Sequence, residues 1–72
     1  MFAWQVYEND QWNIIGALIG GSITPLVTMR LDNYEALRPF AELHHMTTGL
    51  PVRGARYGQP ESFEVLNAVV VQ

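Results

Sequence analysis

Cysteine is absent from this sequence, so neither disulfides nor thiolate metal ligands can support its fold. Lysine is absent too: the four basic residues, Arg30, Arg38, Arg53 and Arg56, are all arginine, a bias that suggests a GC-rich genome. Charged residues of either sign are scarce, 15% of the chain, where about 25% is usual. With a net charge of −3 there is no clustered positive surface to neutralise phosphates, and nucleic acid is not an expected partner. The seven carboxylates are dispersed along the chain and do not reproduce the dense charge of a duplex, which removes a DNA mimic as well. No positive segment precedes an apolar run near Met1, so a cleavable signal is not expected and cytoplasmic localisation is the default expectation. The most apolar stretch, Ile14 to Val27, is interrupted by Gly16, Gly20, Gly21, Ser22, Thr24 and Pro25. It falls short of the roughly 20 residues that span a bilayer, so a membrane is not an expected partner either.

What is present in excess is hydrophobicity, at 49% of 72 residues. A chain this short supports one core only, so residues 1–72 are expected to form a single domain that leaves much of its surface wet. With so few charges, part of that surface must be apolar, and such a patch needs a second copy or another protein to cover it. An interaction protein, with a homodimer as its first form, is the expectation.

Hydrophobic alternation organises the chain. Phe2, Trp4 and Val6 alternate with Ala3, Gln5 and Tyr7, the period of a strand with one buried face. The polar run Glu8-Asn9-Asp10-Gln11 reads as a hairpin turn into a second strand, Trp12 to Ile19, apolar on both faces and therefore expected to be central. Gly20 to Thr24 reads as a flexible connection, after which Pro25 opens a third strand, Leu26 to Arg30. Gly20-Gly21-Ser22 is not a phosphate cradle, because no Gly-Lys-Ser/Thr or helix start follows it. Asp32 and Glu35 have the spacing of a capping box, and the pattern predicts a helix over Asn33 to Thr48. Its inward face would be Tyr34, Leu37, Phe40, Ala41 and His44, with a kink at Pro39 and an end at Gly49. Pro51 to Tyr57 is expected as an edge strand with an arginine-bearing face. Pro60 could open a short C-terminal helix in which Phe63, Leu66, Val69 and Val70 share a face, although the β-branched run Val69-Val70-Val71 favours a strand. The expected class is α+β: a three- to four-stranded, mainly antiparallel sheet in the order β-β-β-α-β with a short C-terminal helix, one main helix packed on one face, and no internal repeat.

Chemistry finds little footing in these residues. His44 and His45 are adjacent, and neighbouring helical residues point about 100° apart, so they do not grip one metal. His44 is read as partly buried and His45 as solvated beside Glu42. The carboxylates fall in turns or on the helix surface, and Ser22 and Ser62 stand beside no base. No catalytic residue, cofactor or metal is expected, and the chain is read as a non-enzyme. The aromatic load and the Arg53, Arg56 and Tyr57 cluster are the remaining candidates, giving Trp4, Tyr7, Trp12, Ile15, Arg53, Arg56 and Tyr57 as interface residues. On an exposed strand the two arginines could instead touch RNA, DNA or an acidic protein surface, or serve only to guard the edge.

The segments Trp12-Asn13-Ile14-Ile15-Gly16-Ala17-Leu18-Ile19, Thr24-Pro25-Leu26-Val27-Thr28, Leu37-Arg38-Pro39-Phe40-Ala41-Glu42 and Thr48-Gly49-Leu50-Pro51-Val52-Arg53 resemble small uncharacterised proteins encoded by bacteriophages of actinobacteria. The resemblance covers residues 12 to 57 and implies no reaction, only the setting of a phage accessory gene acting in a GC-rich host; in that setting the interaction module is expected to bind a host protein or to self-assemble. The expected strand-strand-strand-helix-strand order is also similar to the partial ribonuclease-H-like fold of HicB-type antitoxins, which implies toxin binding and dimer formation. That family's acidic surface and DNA-binding tail have no counterpart in residues 1–72, and a small nucleic-acid-binding or antitoxin-like regulator stands as the alternative function.

Overall fold

Three consecutive extended segments make up the N-terminal half of the computed structural model, which describes residues 1–58 and 60–66. The first is β1 (Phe2–Glu8); the second carries β2 (Gln11–Ile14) and β3 (Gly16–Ile19); the third carries β4 (Ser22–Pro25) and β5 (Val27–Thr28). Asn9 and Asp10 join the first two, both with positive φ (55° and 63°), the pairing a two-residue type I′ turn requires. Gly20 and Gly21 (59° and 82°) do the same for β3 and β4, so only these two residues of the expected connection form a turn; Ser22 to Thr24 already belong to β4, and of the expected third strand Leu26 to Arg30 only Val27 and Thr28 are paired, as β5.

The second segment does not run on as one strand. β2 pairs with β1 from Gln5 to Glu8, but at Ile15 the chain leaves the sheet, and β3 pairs with β4 in a separate two-stranded ribbon. At Leu26 the chain leaves the ribbon, and β5 returns to β1 at Phe2 and Ala3. Each segment thus pairs with both others, through different halves. Three backbone bonds close the point of parting: Trp4 N–H to the Leu26 carbonyl (2.9 Å), Leu26 N–H to the Ile15 carbonyl (2.8 Å) and Ile15 N–H to the Trp4 carbonyl (2.9 Å). All three residues are fully buried, so an unpaired amide there would cost as much as a lost hydrogen bond. They stand evenly at positions 4, 15 and 26, a geometric repeat written in no recurring residue types.

The main sheet is antiparallel, ordered β2-β1-β6-β7 with β5 beside β1, where β6 is Val52–Arg56 and β7 is Ser62–Leu66. Helix α1 (Leu31–Thr48) packs on one face and ends at Gly49, whose φ of 72° lets its N–H reach the His45 carbonyl at 2.9 Å. Trp4, Val6, Ile15, Leu26, Tyr34, Ala41 and Val52 form the core. Trp4 stacks on Tyr34 with ring centroids 4.5 Å apart and planes within 1°, while its indole N–H donates to the Tyr34 carbonyl at 3.1 Å.

The α+β class, the single main helix and the antiparallel sheet are as expected; the finer order is not. The second segment is an edge strand where it joins the main sheet, because β1 already has β6 on its other side. The fourth expected strand is interior rather than an edge, with Val52, Gly54 and Ala55 buried between β1 and β7. In place of the C-terminal helix, residues 62–66 form β7, paired to β6 from Ser62↔Arg56 to Leu66↔Val52. An open ladder on β6 outweighs the helical spacing of Phe63 and Leu66; the rest of that expected helix, 67–71, lies outside the described residues. The helix begins without a capping box: Arg30 is the N-cap, and Asp32 pairs with Arg30 at 2.8 Å while Glu35 pairs with Arg38.

Gly54 is where sheet and helix approach most closely, since a Cβ there would collide with the Tyr34 hydroxyl and come within 3.0 Å of the Trp4 ring. Gly54→Ala is expected to cost about 2 kcal/mol or more in urea unfolding, and less when made in a Tyr34→Phe background. Asp10→Gly, which relieves a left-handed residue in the first turn, is expected to add about 0.5 kcal/mol, read as a higher Tm.

Candidate interaction surface

Strand alternation divides β1 between two faces. Phe2, Trp4 and Val6 point to α1, whereas Ala3, Gln5 and Tyr7 point away, with Trp12, Ile14, Val27, Arg53, Ala55, Phe63 and Val65 as neighbours across the ladders. The outer part of the side away from α1 is apolar and open, with Phe63 49% and Val65 61% exposed and Ile14 and Tyr7 exposed beside them, while Ala3, Gln5 and Ala55 at its centre are buried.

Arg53 lies in the middle of this open side. Its guanidinium carbon is 4.2 Å from the centroid of the Trp12 ring and 4.0 Å from that of Phe63, close cation–π contacts with residues from two other strands. Its Nε donates to Gln5 Oε1 at 2.8 Å, and Gln5 Nε2 donates to the Tyr57 hydroxyl at 2.6 Å. Gln5 is itself buried, so the chain Arg53–Gln5–Tyr57 satisfies a polar side chain that would otherwise be costly. Tyr7 meets Trp12 at 5.3 Å and closes the aromatic border. The result is an arginine held in place by its own chain, with no carboxylate in ion-pairing distance among the described residues.

The opposite side of β6 is occupied differently. Tyr34, Arg38 and Glu64 line a cleft between α1 and β7 together with Glu35, Arg56 and Ser62. Arg38 donates to Glu64 at 2.7 Å and to Glu35 at 3.1 Å, and the Tyr34 hydroxyl donates to Glu64 at 3.1 Å. Hydrogen bonding from Arg38 holds the Glu64 carboxyl below its ordinary range, against the opposing effect of burial. Burial, then the Glu64 hydrogen bond and charge, push the Tyr34 hydroxyl up to about 12. These groups are satisfied by one another, and they clamp the helix to β7.

Of the sequence-derived interface residues, Tyr7, Trp12, Arg53 and Tyr57 come together on the open side. Trp4 and Ile15 do not: both are buried in the core, where the three-segment junction places them. Arg56 faces the helix side, 5.5 Å from the Phe2 ring. Gln5, Ile14, Phe63 and Val65 are members that sequence reasoning missed. The isolated amide of Gln5 in an apolar strand was a usable signal; Phe63 and Val65 were hidden by the helical reading of their segment. His45, expected to be solvated, is half-buried, with Nδ1 2.6 Å from the Leu50 carbonyl and Nε2 buried without a partner among the described residues. The described residues contain no group of three or more His, Asp or Glu placed to hold a metal ion, and no helix among them is long and apolar enough to cross a membrane.

Comparison of the chain with protein-family models, with curated proteins and with solved structures finds no match.

The Tyr34–Glu64 pair makes stability depend on pH at both ends. A raised tyrosine keeps its proton longer when folded than when unfolded, so its contribution is complete below about pH 10 and is lost as pH rises towards 12. A depressed Glu64 contributes above the ordinary glutamate range and loses that contribution as pH falls through its folded value. Tyr34→Phe is expected to remove the alkaline loss while leaving most of the acid limb, as followed by urea unfolding across pH.

Proposed function

We propose that this chain is a non-enzymatic interaction module that self-associates and presents its sheet to a second protein. The observation that carries this reading is the apolar surface exposed among the described residues of so small a chain, above all on the β3–β4 ribbon. Leu18 and Ile23 are cross-strand partners there and are 72% and 79% exposed. Beside them a groove runs between the ribbon and α1, lined by Ile15, Ala17, Leu18, Phe40, Leu43 and His44, with no Asp, Glu or Arg along it. An apolar ridge next to an apolar groove on one surface suits a two-fold contact, in which each copy's ribbon enters the other's groove. Water contact with such a patch is unfavourable enough to drive association. The setting of a phage accessory gene rests on the resemblance of residues 12–57 alone, and a host protein as the second protein follows only within that setting.

Size-exclusion chromatography with light scattering tests the self-association. A concentration-dependent dimer is expected, which Leu18→Glu with Ile23→Glu converts to a folded monomer of unchanged circular dichroism. A monomer at every accessible concentration of the unaltered chain would overturn it.

A further inference from the structure

We propose that the open side of the sheet is a docking site for a segment of a second protein bearing a carboxylate, which Arg53 receives while apolar neighbours of that carboxylate cover Ile14, Phe63 and Val65. The inference rests on the reading of the chain as an interaction module and names the partner's chemistry.

The charge on this surface points to the occupant. Arg53 is the only charged side chain that the strand registers place on the open side among the described residues. Arg30 and Arg38 are paired elsewhere, with Asp32 and with Glu35 and Glu64. Arg53 keeps Nε on Gln5 and has no further hydrogen-bond acceptor among the described residues, so donors at its Nη end remain for a ligand. Trp12 and Phe63 crowd the group at 4.2 and 4.0 Å and limit water around it, which strengthens a charge-assisted bond there. A guanidinium matches a carboxylate through two parallel N–H bonds, and the fixed rotamer removes part of the entropy cost of forming them.

A second copy of this chain does not fit the site. A two-fold axis passing close to Arg53 would oppose Arg53 to Arg53, and the paired strand residues offer no carboxylate on that side to receive either one. A nucleic-acid strand fits no better, because a polyanion requires a row of cations and meets here a single arginine within an apolar border on a chain of net charge −3. One carboxylate among apolar side chains complements both features.

The test is selection of short random peptides displayed on a library against the full-length chain, followed by titration of the synthetic consensus peptide. An acidic residue flanked by apolar ones is the expected consensus. Arg53→Gln, and Glu→Gln or Asp→Asn in the peptide, should each weaken binding about ten-fold or more, and the two together little further, as the two ends of one bond. Arg53→Lys, which keeps the charge but not the fork, should recover only part of the affinity. It also serves as the measured variant should Arg53→Gln not hold its Tm. Selected peptides whose binding is blocked by Ile14→Glu but indifferent to both Arg53 variants would overturn the carboxylate and leave the interaction reading standing. No peptide that Ile14→Glu blocks would overturn the docking site together with the reading that the sheet presents a protein-binding surface. Arg53-dependent binding of single-stranded oligonucleotides in preference to the peptides would overturn the choice of partner.

Discussion

The closed cycle of backbone hydrogen bonds among Trp4, Leu26 and Ile15 is the constraint on which the other parts of this domain depend. Three extended segments meet there in a dry centre, and each must give its amide to one neighbour and its carbonyl to the other. Either consecutive pair of them could have formed an ordinary hairpin along its full length. The third would then lose its ladder, so sharing is the arrangement in which none does. Trp4 connects this cycle to the helix as well, through its indole N–H on the Tyr34 carbonyl and its ring stacked on Tyr34. Gly54 is the concession the sheet makes to that stack, since its missing side chain leaves room for the Tyr34 hydroxyl.

Both proposed surfaces are consequences of that junction. The β3–β4 ribbon leaves the main sheet because β1 has no further edge to offer after β2 and β5 have taken it, and so Leu18 and Ile23 are carried out into water. On β1 the same alternation that sends Phe2, Trp4 and Val6 to the helix sends Gln5 and Tyr7 to the side that α1 does not cover. Among the described residues there is one helix to cover two sheet faces, and the Tyr34–Glu64–Arg38 clamp ties it to the face opposite Arg53. The shortage of charge noted at the level of composition becomes local on the open side, where a lone arginine is ringed by aromatic and aliphatic groups.

The strands that were easiest to read were those with local cues. Phe2 to Val6 alternates cleanly, Asn9-Asp10 is a turn pair, and Gly49 ends the helix by its own backbone freedom. The errors share one cause. Trp12 to Ile19 is apolar on both faces, which suggests a central strand, but Ile15 is buried by a change of partner and not by cover from two sides. Phe63 and Leu66 satisfy helical spacing, yet β6 offers them a ladder, and nothing local distinguishes the two. Trp4 and Ile15 were credible interface residues for the same reason: the composition of a strand does not say which of its large residues meets the core.

By itself the sequence determined the class of this protein. A short, cysteine-free, weakly charged chain with a period-two start and one long helical pattern yields an α+β domain with apolar surface to spare. Tertiary structure alone decided that the second and third segments would each divide between two partners, that the Arg53 segment would lie inside the sheet, and that Arg53 would meet Trp12 and Phe63 while Arg56 would not. Side-chain period and turn chemistry act over a few residues and are written locally. Strand pairing is a competition among distant segments for a limited number of hydrogen-bonding edges, and its outcome is settled only when all of them are in place.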